Sequence, residues 1–518
     1  MIRSFLTVVS GTLASRLLGF VRDALIAALL GTGAVADAFL AAFQLVNVIR
    51  RLLTEGALNA ALVPAWLRLR QDKGAAAAAA FAGRVLGTFS AGLIAATMLL
   101  ALLMPIVMTV LTPGFAGQQT LSLAVDDARL MLPYLAFAGP STVLLALASA
   151  QRRFALAAFA PLLFNATLIG VTIAFLIMQG DAAFAASILA ATIGLAGLLQ
   201  LLILVLRRDR DVATPLRISL DPELRAFFGK ALPGMVASAS PQLLAVAGAI
   251  IASAQPSAVS WLYYANRLIE LPLGIVGVAM GTVLVPELTR AFHADDRSTL
   301  AQAQSRGLEL AVGLTLPAML GLMLLSEPIV RLLFEHGAFT REDGAATARI
   351  LMWLAAALPA QVLAKALSPA FFARHDTQTP LRATLIGSGV AIALAFLFGQ
   401  VLGAAGIAAG LALGAWANTL VLIRRGITSF GFAIEPASRR RLPRIVLAAA
   451  IMGAMLWLAT MLMITDTPQH ALAQAAFVTA LIAGCIAIYG LLLVALGVIG
   501  WRETLQAIRQ KPRRDLHL

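Results

Sequence analysis

Residues 85–111 read VLGTFSAGLIAATMLLALLMPIVMTVL, a run without one charged side chain. About 20 apolar residues are enough for a helix to cross the hydrocarbon of a bilayer. Comparable runs lie near 4–30, 35–64, 126–150, 157–178, 183–206 and 226–252, and again near 257–285, 307–334, 345–372, 380–400, 404–423, 444–464 and 472–500. The expected fold is therefore an all-α integral membrane protein of about 14 transmembrane helices. The whole chain agrees: of 518 residues, 60% are hydrophobic and 12% charged, with a mean hydropathy of +0.90. Soluble domains run near 45–50% apolar and about 25% charged, so this much apolar surface needs lipid as its solvent. Pro133, Pro140, Pro241, Pro272, Pro317 and Pro359 fall inside the runs. Bends are expected there, where neighbouring groups satisfy the freed carbonyls.

Arg3 precedes the first apolar run in the manner of a secretory leader, but no small-residue cleavage site follows, so the run is expected to be retained as a span. Cys485 is the single cysteine, which excludes an internal disulfide, a cysteine-cluster metal site and a redox pair. A formal charge of +14 in a soluble protein would suggest nucleic acid; here the basic residues sit in short connections between apolar runs, where they set topology. No nucleic-acid partner is expected.

Numbering the connections sharpens this. The even ones hold Arg68, Arg70 and Lys73; Arg152 and Arg153; a group from Arg207 to Lys230; Arg290 and Arg297; Arg374 and Arg382; and a group from Arg424 to Arg444, with Arg502 to Arg514 after the last run. The odd connections around 31–34, 112–125, 179–181, 253–257 and 400–404 hold no Lys or Arg; the ninth, with Arg341, is the exception. Basic residues concentrate on the cytoplasmic side, so both termini are expected there.

The chain also repeats itself at an offset of about 222 residues. Leu62-Val63-Pro64 with Arg68 returns as Leu284-Val285-Pro286 with Arg290, Arg84 as Arg306, and Pro105-Ile106-Val107 with Gly114 as Pro328-Ile329-Val330 with Gly337. Equivalent helices are six spans apart, an even number, so two six-helix repeats would share one orientation, related by an axis along the membrane normal. The expected division is an N-lobe at 1–220, a C-lobe at 221–435, and two extra C-terminal helices with a basic tail at 436–518.

Charges left inside the spans carry the chemistry. They are Arg16, Arg22, Asp23, Asp37, Arg50, Arg51 and Glu55 in the first two helices and Arg267 and Glu270 in the eighth. An arginine at mid-helix costs roughly 2.5–3.5 kcal/mol on insertion scales, so five facing lipid would cost on the order of 12–17 kcal/mol. They must face one another or a wet cavity. One reading is internal pairing: Arg51 with Glu55, Arg267 with Glu270, Arg22 with Asp23. The other is a central cleft whose guanidinium forks grip a phosphate or pyrophosphate. Ser15 and Asn165 are candidate neutral partners in that cleft, with plain helix packing as the alternative. Asp37 lies close to the outer end of its helix, with a plain interfacial charge as the alternative, and Lys365 is a weaker candidate with snorkelling or a structural pair as its alternatives.

Gly406, Gly410 and Gly414 form a small-residue stripe that signals close helix packing. The five histidines are scattered, no phosphate-binding loop occurs, and neither a metal site nor ATP hydrolysis is supported.

The run Ser15-Arg16-Leu17-Leu18-Gly19-Phe20-Val21-Arg22-Asp23, followed by Ala36-Asp37-Ala38-Phe39, Asn47, Arg50-Arg51, Glu55-Gly56-Ala57 and Val63-Pro64, resembles the MurJ (MviN) lipid II flippases of the MOP exporter superfamily. So does Ser260-Trp261 with Tyr263-Tyr264-Ala265-Asn266-Arg267-Leu268, continuing to Glu270, Pro272, Gly274 and Gly277. The resemblance covers essentially the whole chain. It implies a two-lobed flippase with a cationic cavity and a groove by the last two helices for the undecaprenyl tail. By motif position it assigns Arg22 and Arg267 to the pyrophosphate. Arg16, Arg50, Asp37 and Glu55 go to the head-group site or its gating, and Asp23, Ser15 and Asn165 to the polar cavity. Gln44 stands where some relatives carry Lys, and Asn266 where some carry Asp; the two departures shift cavity charge in opposite directions.

The function so implied is movement of the undecaprenyl-pyrophosphate-linked peptidoglycan precursor from the inner to the outer leaflet of the bacterial cytoplasmic membrane by alternating access, without covalent chemistry. No cofactor is expected, coupling to the membrane potential or a monovalent ion is left open, and membrane lipid and the cell-wall synthesis machinery are the further partners to consider. A multidrug or oligosaccharide exporter of the same superfamily is the rival. A membrane glycosyltransferase or ligase fits less well, because it needs a catalytic carboxylate or His cluster and a sizeable extramembrane loop.

Overall fold

A computed structural model covers the chain, and the description that follows concerns residues 2–54, 57–151, 153–207, 212–219, 221–237, 240–293, 297–372, 374, 376–430, 435–463 and 471–498. The expected basic tail from Arg502 to Arg514 lies outside these residues, as does Glu55. Among the described residues the chain is all-helical. Nine helical stretches among the described residues are long and apolar enough to cross a membrane.

The contacts divide the chain into two compact units. The first comprises Met1–Tyr264 with Phe334–Asp343. It contains α1 (Ile2–Leu30), α2 (Ala34–Thr54), α3 (Ala57–Asp72), α4 (Gly74–Leu111), α5 (Gln119–Met131), α6 (Pro133–Ala150), α7 (Phe154–Met178), α8 (Ala182–Arg207), α9 (Pro222–Ala237), α10 (Ser240–Ala252) and the opening turns of α11 (Ala258–His293). The run expected near 126–150 is two helices that meet at Leu132 and Pro133, because a proline cannot donate to the carbonyl four residues back. Pro105 lies inside α4 and leaves the Ala101 carbonyl without its helical donor; Arg129 of α5 supplies one, its Nε lying 3.2 Å away.

The core of this unit follows from helical spacing. Leu58, Leu62 and Trp66 line one face of α3, and Ala78, Phe81, Ala82, Val85 and Leu86 one face of α4; they pack with Val143, Leu144 and Leu147 of α6. Beyond α8 the chain returns as an extended strap across α4. Gly83 and Gly87 lie under the backbone of Pro215 and Arg217, where a Cβ would collide. Thr88 exchanges two 2.9 Å hydrogen bonds with the Ser219 backbone, and Arg84 pairs with Asp221 and, at 2.7 Å, with Glu223. Asp221 caps α9 through the Leu224 N–H; that bond, with Ser219 and Arg84, holds its carboxyl below the usual range.

The second unit comprises Ala265–Leu333 and Gly344–Leu518. It holds the rest of α11, α12 (Arg297–Leu324), most of α13 (Ser326–Phe334), most of α14 (Arg341–Ala356), α15 (Leu358–Phe372), α16 (Gln378–Phe430), α17 (Pro436–Met463) and α18 (Ala471–Ala495). Helix α12 is central, packing on α15, α17 and α18. The break between α14 and α15 falls just before Pro359, and Trp416 Nε1 donates to the Ala356 carbonyl exposed there, at 2.9 Å. Through Pro140 and Pro317 the helices stay continuous, so two of the expected bends are absorbed without a break. The two runs expected at 380–400 and 404–423 are the legs of α16, which turn at Gly403, where φ is 62° and ψ −147°. Gly406, Gly410 and Gly414 on one leg face Phe398, Ala395 and Ala391 on the other without room for a Cβ, which is the close packing their spacing implies.

Candidate substrate-binding site

The intramembrane charges lie on α1, α2 and α11. On α1, Ser15 and Arg22 stand two turns apart on one stripe, and Arg16 and Asp23 on the next. Helix α1 packs along α7, which brings Asn165 opposite the Ser15–Arg22 stripe. Asn165 uses both ends of its amide: Oδ1 accepts from Arg22 Nη1 at 3.0 Å, and Nδ2 donates to the Ser15 carbonyl at 3.2 Å. Arg22 Nε and Nη2 both donate to Asp23 Oδ1, at 2.9 and 2.6 Å.

This ion pair is sealed. Arg22 is 6% exposed and Asp23 1%. Aromatic rings take up the rest of the guanidinium: Phe43 of α2 lies 4.9 Å and Phe164 of α7 5.8 Å from it, centroid to Cζ. Tyr263, on the opening turns of α11, donates from Oη to Asp23 Oδ1 at 3.3 Å. Tyr263 is also edge-on to Phe43, with centroids 6.3 Å apart. The sequence stripe of charges thus closes into a polar knot walled by aromatics, as the cost of an arginine in hydrocarbon requires.

The other candidates of the first unit lie elsewhere on α1 and α2. Arg16 is exposed, and Arg50 is half-buried with its Nε donating to Asn47 Oδ1 at 3.2 Å. Asp37 sits at the N-terminus of α11, accepting from the Ser257 N–H at 2.8 Å, the Ser260 N–H at 2.9 Å and the Ser260 hydroxyl. The pairing expected for Arg51 with Glu55 falls on a residue outside the description. In the second unit Arg267 and Glu270 form the expected ion pair at 2.6 Å, half-buried, and Asn266 beside them is exposed.

Spacing did not single out Phe43, Phe164 and Tyr263, whose rings and phenol complete the Arg22 site. Nor did it single out Asp343, which accepts from Thr32 at 2.6 Å, Trp261 Nε1 at 3.1 Å and the Thr340 hydroxyl and N–H at 2.7 and 3.0 Å. The Thr340-x-x-Asp343 box was readable as a helix start; its reach to Thr32 and Trp261 was not.

Residues 26–490 match the family model described as lipid II flippase MurJ. A probable lipid II flippase MurJ from Rhizobium meliloti (strain 1021) is 38% identical over 521 residues, covering 99% of this chain and 96% of that protein. Among solved structures, a lipid II flippase MurJ in an inward closed conformation superposes with a TM-score of 0.77 at 22% identity, over 98% of this chain and all of that one. A multidrug resistance MATE family transporter of the MOP superfamily, in an inward-facing conformation, superposes with a TM-score of 0.66 at 17% identity, over 83% of this chain and 95% of that one.

Proposed function

The chain belongs to the MurJ lipid II flippase family, and from that membership we propose that it carries lipid II from the inner to the outer leaflet of the bacterial cytoplasmic membrane by alternating access. It is a multi-pass membrane transporter and makes or breaks no covalent bond. The observation that carries the reading is the Arg22 knot: a guanidinium kept inside the bundle, charged and held in register by Asp23 and Asn165, where a diphosphate head group needs a positive partner. Arg16 and Arg50 are the outlying cations of the same site, and Arg267 the cation contributed by the C-lobe. Ser15, Asp37, Glu55, Glu270 and Asn266 are its polar surround. The MATE likeness is one of fold, and the family match favours lipid II over a drug or oligosaccharide cargo.

The finer architecture belongs to the same proposal: 14 spans, an N-lobe at 1–220, a C-lobe at 221–435, an added helix pair at 436–518, and both termini cytoplasmic. Support for the duplication comes from two contacts that exchange under it. Gly31 lies against the Ala338 backbone beside Gly337, and Gly114 against Ser253. Gly31 and Ser253, like Gly114 and Gly337, are about 222 positions apart. A pair of contacts related in this way is what parallel repeats about a common axis generate. The membrane potential is the energy source we favour, since a unit charge crossing 100 mV is worth about 2.3 kcal/mol. A monovalent ion and contact with the cell-wall synthesis machinery stay within the proposal.

In cells depleted of their own flippase, Arg22→Ala and Arg267→Ala, expressed at wild-type level, should fail to support growth. Lipid II should build up on the inner leaflet, because losing a charge-assisted contact costs roughly tenfold or more in affinity. Normal growth and normal outer-leaflet lipid II with both variants would overturn the assignment.

A further inference from the structure

The apolar span of α12 runs over Gln302–Leu324, and Gly313 is its middle residue. Pro317, four residues further along the same helix, has no N–H to give the Gly313 carbonyl. Tyr489 of α18 supplies a donor: its side chain is buried, and its hydroxyl donates to the Gly313 carbonyl at 2.8 Å. The middle of a bilayer holds no water to take over that role, and a bare backbone carbonyl is strongly disfavoured there. For α18 to draw away from α12 it must give up this bond at the depth where it is hardest to replace.

Three more contacts join the same face of α12 to the last helix pair. Ser305, Glu309, Gly313, Leu316 and Leu320 recur along α12 at helical spacing. Toward the start of the helix the Ser305 hydroxyl accepts from the Glu435 N–H, just ahead of α17, at 3.0 Å, and Glu309 pairs with Arg441 of α17 at 3.6 Å. Toward its end, a Cβ built on Gly453 of α17 would lie 3.0 Å from Leu320 Cδ1, so the two helices are pressed together there. Between these points Ala448, Ala449, Met452 and Tyr489 form one buried cluster with Leu316 and Leu320 against it. Arg444 closes the triangle by joining α17 to α18, its Nη1 donating to the Leu496 carbonyl at 3.0 Å.

We propose that α12, α17 and α18 travel as one rigid body through the transport cycle, pinned by the Tyr489 hydroxyl on the carbonyl that Pro317 sets free. The motion itself is taken from the alternating-access reading above; the pin is not. The last helix pair is then a fixed part of the second unit rather than a door that swings away from α12.

The pin is tested by a double-mutant cycle on the full-length protein, read as unfolding midpoints in one detergent with monodispersity checked. Tyr489→Phe keeps the ring and should lower the midpoint by roughly 2–4 °C, the loss of about one hydrogen bond. In a Pro317→Ala background the helix regains its own donor for Gly313, and adding Tyr489→Phe should shift the midpoint by less than about 1 °C. An equal loss in both backgrounds, or none in either, overturns the pin. Rigidity is tested by spin-label distances in nanodiscs in a Cys485→Ser background, with and without lipid II. Leu314→Cys with Thr479→Cys spans α12 and α18 at exposed positions, and Gln71→Cys with Thr377→Cys spans the two units. The first distance should stay fixed while the second changes, and the first should broaden once Tyr489→Phe is added. A first distance that changes along with the second overturns the rigid body. A second distance that does not respond to lipid II counts instead against alternating access, and the cycle then still decides the pin.

Discussion

Three donors meet at the Asp37 carboxylate: the Ser257 N–H, the Ser260 N–H and the Ser260 hydroxyl. Two of them are N–H groups at the start of α11, which have no partner within their own helix. Asp37 therefore does from another helix what an N-cap side chain does locally, and its negative charge faces the positive end of the α11 dipole. Asp37→Ala should lower stability by about 1–3 kcal/mol, the loss of a cap plus stranded donors. Asp37→Asn, which keeps an acceptor for Ser260, should cost under about 1 kcal/mol. Thermal unfolding in detergent checks this, and an Ala variant as stable as wild type would remove the capping role. At this scale the sequence was legible where partners are close along the chain. Arg22 with Asp23 and Arg267 with Glu270 were both readable from spacing. The bonds from Asp37 to Ser260 and from Asp343 to Thr32 span 223 and 311 positions, and the helical period, which relates residues three or four apart, does not pair side chains over that distance.

At the scale of elements, apolar length located the helices and proline located some of their breaks, at Pro133 and just before Pro359. What length alone could not say is that two adjacent spans would form one back-to-back hairpin about Gly403; that depends on which face of each leg is small. A Cβ built on Gly410 would strike the Ala395 backbone, whereas Gly389, exposed on the other leg, has open space around it. Gly410→Leu should overpack the hairpin by about 1–3 kcal/mol or more and reduce the yield of folded protein. Gly389→Ala should instead stabilise by roughly 0.5–1 kcal/mol, because it removes glycine's entropy from a helix interior without a clash. Paired unfolding midpoints in one detergent decide it: a Gly410→Leu protein no less stable than Gly389→Ala would mean the legs are not pressed together at the glycine stripe.

For the whole molecule, the distribution of charge across the membrane decides orientation, and the described structure gives that idea specific places to be tested. Each Lys or Arg held in a short connection resists transfer across the bilayer, so connections rich in them stay on the cytoplasmic side. Gln71 is exposed at the end of α3 among Arg68, Arg70 and Lys73, whereas Gln118 is exposed between α4 and α5 in a connection without a basic residue. Helix α4, without a charged side chain from 85 to 111, separates the two. A miscount of one span in the first half would put both residues on the wrong sides together, so the pair reports orientation as a unit. In a Cys485→Ser background, Gln118→Cys should react with a membrane-impermeant maleimide in intact spheroplasts. Gln71→Cys should react only after the membrane is permeabilised. The reverse pattern would invert the topology and with it the direction in which lipid II enters the site; labelling of both positions from outside would mean that α4 does not span the membrane at all.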